Sequence, residues 1–375
     1  MTTGEANGRR RVLLVNVSLE NGGLERQLLL LARNLPRMWE ARIWTLEGGP
    51  FGRKVREAGI PWRSRPRRWR FDPMPALDLW RAMASWRPDV VHAWHWMPAA
   101  AAVPACRALR VPLIDGSIRM GSVPPESGRP RRAIMRWAEL VVANSQAGLD
   151  AWHIGSGKGR VIYNAFDDTR LRGAPSRGTF PKDQEGRLTA VMAARMSPQK
   201  DFGAVIRAAR LLERDAPGSW RFLLVGSGVD KVKLIAAAGD LVATGVVAFR
   251  DAGLEAIGAI QEADAGILMT DPEVLAEGCS NSIMEYMACG LPVVCSDTGG
   301  SAELVRDGQE GYVIAPHDAI ALAERLLKLR ADPQIGVTMG ANGQRRVQQE
   351  FTVGRMVTAY VRAYEEVALR SRRSF

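Results

Sequence analysis

The segment Glu277–Gly290, EGCSNSIMEYMACG, concentrates groups able to hold an anion. Apolar residues at 283, 284, 287 and 288 mark a short helix with one buried face. Ser280 or Asn281 can cap its start, and Gly290 can end it. The apolar run LPVVCS follows at once, so the helix directs its free N–H groups at the crevice along the strand ends. Such a terminus attracts phosphate. Glu277 precedes the helix, and Glu285 shares a face with Asn281 and Ser282. Two carboxylates thus flank an anion-binding turn. The same spacing fits a plainer arrangement, with one acid complementing the helix dipole and the other on a solvated face. Spacing alone favours neither.

Other groups are sparser. His92 and His95 in HAWHW offer two nitrogens to a metal, but no third ligand follows at suitable spacing. A histidine at a strand end, in core or cleft, fits better, which makes His92 a candidate ligand contact, and no metal is expected. Asp167-Asp168 falls in an irregular stretch and reads as solvated. Gly226-x-Gly228 is a dinucleotide fingerprint without its third glycine. The run WRSRPRRWR holds Trp62 and Trp69 with Arg63, Arg65, Arg67, Arg68 and Arg70. This interleaving suits single-stranded nucleic acid, an anionic bilayer with tryptophan at headgroup level, or a solvated loop.

The elements that must position these groups alternate. Strand-like runs stand at 11–17, 41–46, 89–93, 111–114, 140–143 and 160–163, with helical patterns at 23–35 and 77–86. Irregular, charged residues at 164–186 interrupt the rhythm. It restarts with strands at 188–193, 220–225, 246–249, 265–269 and 291–295 and helices at 202–214, 229–239, 318–329 and 352–369. This βαβ rhythm predicts an α/β chain of two doubly wound Rossmann-like domains facing each other across a cleft. The expected division is a basic first domain at 1–170, a linker at 171–186, a second domain at 187–352 and a closing helix at 353–375 that returns to the first. In open α/β sheets the ligand lies at the carboxyl ends of the strands.

Glu277 and Glu285, embedded in EGCSNSIMEYMACGLPVVCSDTGG, resemble the donor-site signature of family 4 retaining glycosyltransferases of the GT-B fold. The likeness continues through Asp297-Thr-Gly-Gly-Ser-Ala-Glu303, Asp307-Gly308 to Val313, and Arg195 to Lys200 after a strand. It also covers Phe222–Gly228, Gly22-Gly23-Leu-Glu25, Pro88–His92 and Val142–Ser145. It implies that Glu285 binds the ribose of a nucleotide sugar and that Glu277 contacts the donor sugar near the reacting carbon. N–H groups of the turn Gly278, Cys279, Ser280, Asn281 and Ser282 would face the diphosphate. Gly226 and Gly228 would admit the nucleotide, with Arg250 and Asp251 near its base. Each role suits the residue chemistry. Arg195 and Lys200 can neutralise a leaving diphosphate without a metal, although a lone loop cation is most often solvated. Gly22 and Gly23 can bring N–H groups to the phosphates from the opposite domain, or simply form a strand-to-helix turn. Many members carry a histidine near the reacting sugar where this chain has Arg119. That departure fits an anionic acceptor, a different donor sugar, or a solvated loop arginine. His92 and Arg119 are then the candidate contacts for the acceptor or the donor sugar.

Of 375 residues, 46% are apolar and 24% charged, the balance of a globular chain that can bury a core. No uncharged apolar run reaches a membrane span, and no apolar leader core follows the polar start. Four cysteines without a pairing pattern suggest a reduced, cytosolic setting. Residues 1–180 carry a net +14 and residues 181–375 a net −3, so the first half should meet an anionic partner. The reading is a metal-independent retaining hexosyltransferase that uses a nucleotide sugar and a glycan or lipid-linked acceptor, cytoplasmic, with a peripheral place on the inner face of the plasma membrane as a further option. The alternatives are a basic nucleic-acid-binding protein, which has no need of Arg195, Lys200, Glu277 and Glu285 in this pattern, and a GT-B sugar-nucleotide epimerase, which needs an acid and base of its own.

Overall fold

The computed structural model describes residues 8–20, 22–69, 71–124, 128–171, 186–251 and 256–373. The first sheet holds β1 (Arg10–Asn16), β2 (Trp39–Thr45), β3 (Trp62–Ser64), β4 (Val90–Ala93), β5 (Leu113–Ile118), β6 (Leu140–Ala143) and β7 (Gly159–Val161). Their order is β3-β2-β1-β4-β5-β6-β7, and every pairing is parallel. The second sheet holds β8 (Leu188–Ala193), β9 (Trp220–Val225), β10 (Val247–Arg250), β11 (Ala265–Leu268), β12 (Val293–Ser296) and β13 (Gly311–Ile314). It runs β10-β9-β8-β11-β12-β13, again parallel. Both faces of each sheet are covered, which is why the central strands read as unbroken apolar runs. Val12, Leu13, Leu14 and Val15 of β1 are all buried.

Helices Gly23–Asn34 and Val353–Arg373 cover one face of the first sheet. Helices Met74–Trp86, Trp96–Leu109 and Gly128–Trp137 cover the other. Helix Val353–Arg373 therefore belongs in space to the first domain, although it follows the second in sequence. Its apolar residues recur every three or four positions, at Met356, Val357, Tyr360, Ala363, Tyr364 and Val367, and form one buried stripe. The Tyr364 hydroxyl meets His92 Nδ1 at 2.8 Å, and Glu365 and Glu366 pair with Arg10 and Arg160, each at 2.9 Å. The chain crosses between domains twice, and the crossings are joined: Phe166 N donates to the Phe351 carbonyl at 2.9 Å.

Neighbouring strands depart in opposite directions between β1 and β4 and between β8 and β11. Those two switch points face the space between the domains, where the loops after β1, β5, β8 and β11 converge. Of the expected linker, residues 172–185 lie outside the described residues.

Some elements were hidden from periodicity. Helix Trp96–Leu109 is rich in alanine, carries Pro104 and has little polar face to reveal it. Helix Pro333–Glu350 buries Gly336, Gly340 and Gly343 where larger apolar residues would have marked a stripe. Those glycines have a packing reason. A Cβ at Gly340 would lie 2.0 Å from the Gly290 carbonyl oxygen, so the helix rests directly on backbone. Gly340→Ala should therefore destabilise the protein by about 1–3 kcal/mol through overpacking. Gly354→Ala, whose Cβ would enter open space on an exposed helical turn, should be neutral or stabilising by about 0.4–1 kcal/mol. Urea-unfolding midpoints check the pair, and equal shifts would contradict the packing account.

Candidate active site

The cleft between the domains has a volume of about 390 Å3. Gly22, Gly23, Arg26, Arg119, Asn144 and Asn164 line it from the first domain. Arg195, Lys200, Gly226, Glu277, Cys279, Ser280, Asn281, Ser282 and Glu285 line it from the second.

On the second domain, β8 ends at Ala193 and delivers Arg195 into the cleft. Arg195 is exposed and makes no hydrogen bond or ion pair among the described residues. Lys200 is fixed by a backbone bridge to Thr270, and its ammonium binds both oxygens of Glu277, with Oε2 at 2.9 Å. Glu277 is only 7% exposed. The turn that follows is held by close backbone contacts. A Cβ at Gly278 would lie 2.4 Å from the Arg119 carbonyl oxygen, and one at Gly299 would lie 2.1 Å from that of Glu277.

Helix Asn281–Ala288 starts at Ser280, whose Oγ accepts from Ile283 N at 3.4 Å. Asn281 Oδ1 accepts from Gln27 and Asn164, and Ser282 Oγ donates to the Ala193 carbonyl at 2.6 Å. These side chains are occupied in holding the fold. Backbone N–H groups at the helix start are what remain for a ligand. Burial pushes the Cys279 thiol up to about 12, so it stays protonated and contributes shape rather than a nucleophile. Glu285, one turn into the helix, is buried and accepts on Oε1 from Arg26 at 2.7 Å and Arg170 at 2.8 Å.

On the first domain, helix Gly23–Asn34 begins at Gly22 without a side-chain cap. A Cβ at Gly23 would lie 2.1 Å from Asn281 Nδ2, so the start of one helix packs on a side chain at the start of the other. Glu25 in the first turn is half-buried, and burial raises its carboxyl above the usual range, with Arg195 among the groups pulling it back.

Several expected residues lie elsewhere. His92 is fully buried beneath the cleft. Burial holds it neutral, and its ring anchors Tyr364 rather than facing a sugar. His95 caps helix Trp96–Leu109 through Met97 N, and burial lowers it to about 4. Among the described residues no three His, Cys, Asp or Glu side chains stand together as a metal site. Arg250 pairs with Glu262 and Asp251 with Lys231, both outside the cleft lining. Gly228 packs on the Met196 carbonyl and is not among the lining residues, whereas Gly226 (φ 146°) borders the cleft.

The basic run also divides. Trp62 is part of strand β3, donates to Thr45 Oγ1 at 2.9 Å and lies under Arg56, while Arg63 pairs with Asp78. The run is therefore partly a sheet edge, since alternate residues of a strand must pack inward. Arg67, Arg68 and Trp69 are exposed, Arg65 is half-buried, and Arg70 lies outside the described residues.

Sequence reasoning missed the groups that join the domains. Glu303 accepts from the N–H groups of Gln146 and Ala147 and from the Tyr163 hydroxyl, each at 2.8 Å. A second-domain carboxylate thereby caps a first-domain helix, Gln146–Trp152. Its motif marked Glu303, but nothing marked a partner 157 residues away. Arg26, Gln27, Asn164 and Arg170 gave no signal, because each reaches the site through a residue of the other domain that is distant in sequence.

Two doubly wound domains that offer strand-end loops, helix N-termini and paired cations and carboxylates to a shared cleft define a GT-B glycosyltransferase. Residues 187–332 match the model of Glycosyl transferases group 1, and residues 21–170 match Glycosyltransferase Family 4. Together the matches span most of the chain, which belongs to the family 4, group 1 glycosyltransferases. It is 26% identical to glycogen synthase of Mycobacterium tuberculosis over 297 residues, covering 75% of this chain and 69% of that one. It is 26% identical over 304 residues to D-inositol 3-phosphate glycosyltransferase of Streptomyces avermitilis, covering 72% and 64%. Among solved structures, Anabaena HepE in complex with UDP and glucose superposes with a TM-score of 0.80 at 22% identity, covering 94% of this chain and 99% of that one.

The loop carrying Lys200 depends on a titratable clamp. His317 reaches Asp201 at 2.6 Å and Asp271 at 3.4 Å, the residues that follow the bridged pair Lys200 and Thr270. Its hydrogen bond to Asp201 raises its pKa above the usual value of about 6.5. The folded state therefore holds the proton more tightly than the unfolded chain. This contribution to stability is complete below the unfolded pKa and is lost as pH rises through the raised one. The thermal midpoint of the wild type should exceed that of His317→Gln at pH 6, and the gap should narrow by pH 8. A gap independent of pH would contradict the clamp.

Proposed function

We propose that the chain is a retaining hexosyltransferase that takes a hexose from a nucleotide diphosphate sugar, without a metal, and delivers it to a glycan or lipid-linked acceptor. The observation that carries this reading is Arg195, a cation at the mouth of β8 with no ion pair among the described residues, which lines the same cleft as the start of helix Asn281–Ala288. A departing diphosphate gains negative charge as the glycosidic bond breaks, and preorganised cations and N–H dipoles stabilise that gain. Lys200 contributes from beside Glu277, where their ion pair also fixes the carboxylate that would meet the sugar hydroxyls. Oε1 of Glu285 is taken by two arginines, and Oε2 makes no hydrogen bond among the described residues. That oxygen is left for a ribose hydroxyl. The leaving phosphate would accept the proton of the incoming hydroxyl on the same face, so no separate base is required. Anabaena HepE, solved with UDP and with UDP-glucose, supports uridine as the first nucleotide to test.

Calorimetric titration with UDP, GDP and ADP, followed by hydrolysis of the matching sugar nucleotide, tests the proposal. Arg195→Ala should lower turnover about 100-fold with nucleotide affinity much less affected. Arg195 is a cleaner target than Lys200, whose removal strands a buried Glu277 and would confuse folding with chemistry. Activity should persist in EDTA. Loss in EDTA with recovery on adding magnesium would refute the metal-free part, and absence of binding to any nucleotide would refute the whole.

The first domain is also proposed to sit on an anionic membrane surface. No helix among the described residues is long and apolar enough to cross a membrane. Trp69 and Phe71 are 57% and 81% exposed beside Arg67 and Arg68. Each arginine near such a surface contributes about 1 kcal/mol, screened by salt. The wild type should sediment with phosphatidylserine vesicles at low salt. A variant with Arg65, Arg67 and Arg68 changed to Gln should stay in the supernatant while still binding nucleotide. A wild type that ignores vesicles but retards an RNA oligomer would favour the nucleic-acid alternative.

A further inference from the structure

Arg119 follows β5 and enters the cleft from the first domain. Its guanidinium lies over Trp94, with Cζ 4.2 Å from the ring centroid. Nε and Nη2 are shielded from solvent, yet neither has a hydrogen-bond partner. No carboxylate of the described residues lies within ion-pair distance. Asp115 influences it only from a distance, and Glu277 is taken by Lys200. The Arg119 carbonyl abuts Gly278, and Gly121 N donates to the Ala276 carbonyl at 3.1 Å, so the residue packs directly against the turn that follows Glu277. Asn144 borders the same space, and its Oδ1 is also buried without a partner.

A shielded guanidinium with unused donors is costly unless an anion completes it. Solvated loop arginines and internal ion pairs do not leave such donors open. The face of Trp94 holds the guanidinium at the cleft wall, so a small displacement of the side chain brings its unpartnered N–H groups to an oxyanion in the cleft. We propose that Arg119 forms a subsite for an oxyanion carried by a glycosyl reactant, on the transferred-sugar side of the cleft. The anion is either a carboxylate on the donor sugar or a phosphate on the acceptor. Both present the same paired oxygens to the fork. This assignment rests on the nucleotide-sugar reading, and it makes Arg119 a specificity residue.

The test uses the full chain and calorimetric titration. UDP alone is titrated first, and failure to bind would count against the nucleotide reading rather than against Arg119. The donor arm compares UDP-glucuronate with UDP-glucose. The acceptor arm compares inositol 3-phosphate with inositol on the UDP-saturated protein. One anionic probe should bind about 10- to 100-fold more tightly than its neutral counterpart, as a charge-assisted bond predicts. Arg119→Gln should abolish that preference, and Arg119→Lys should restore it in part. A purely structural role would weaken charged and neutral probes alike and leave their ratio unchanged. An unchanged ratio in Arg119→Gln, or no preference for the anionic probe in either arm, overturns the proposal. UDP affinity equal to the wild type's confirms that each variant is folded.

Discussion

Two helix N-termini meet head to head at the centre of this protein. Helix Gly23–Asn34 and helix Asn281–Ala288 come from different domains, yet Gly23 at the start of one packs on the side chain of Asn281 at the start of the other. Each end carries partial positive charge, and bringing like ends together is unfavourable unless negative charge lies nearby. Glu25, Glu277 and Glu285 answer part of that demand from the protein itself. Two of the three are already committed, Glu277 to Lys200 and Glu285 to Arg26 and Arg170. Arg195 makes no ion pair among the described residues, although Glu25 feels its charge. Preorganised donors of this kind need no rearrangement when negative charge develops.

The domains are joined by directional polar contacts more than by apolar surface. Glu303 caps a helix across the boundary, Glu285 draws in two arginines, and Asn164 and Gln27 converge on the start of helix Asn281–Ala288. The cores form separate clusters, and Phe166 and Tyr163 at the crossing are the first-domain residues that pack against the second. Polar contacts of this kind can be exchanged for ligand contacts at little net change, unlike a merged apolar core. Glu285 shows the coupling most directly, because the carboxylate that holds the domains together is one of the groups a nucleotide would meet.

The fold was largely legible because parallel strands covered on both faces declare themselves as apolar runs. Strands β6, β8 and β9 fall where the pattern placed them. Helix Pro333–Glu350 was illegible for the opposite reason, since close backbone packing demands glycine and glycine erases the stripe. The second-domain half of the site was legible from contiguous residues around a single helix start. Its partners were not. Arg26, Asn164 and Glu303 matter through contacts more than one hundred positions away, and one sequence carries no trace of such pairings. His92 illustrates a related trap. It ends a strand aimed at the cleft, but a strand's alternate residues face inward, and this one faces the closing helix.

That closing helix has a consequence for how the protein is made. The hydrogen bond from Tyr364 to His92 spans 272 positions, and the entire second domain is translated between its two ends. Until helix Val353–Arg373 emerges, one face of the first sheet has only helix Gly23–Asn34 as cover, and the cluster that Tyr360 and Tyr364 share with Leu14, Trp39 and Val90 is incomplete. The first domain thus leaves the ribosome unfinished while the second can already fold around its own core. Contacts of such long range also slow the final step, because the chain must close a large loop before they form. A nascent chain in this state presents an apolar sheet face, the kind of surface that chaperones hold.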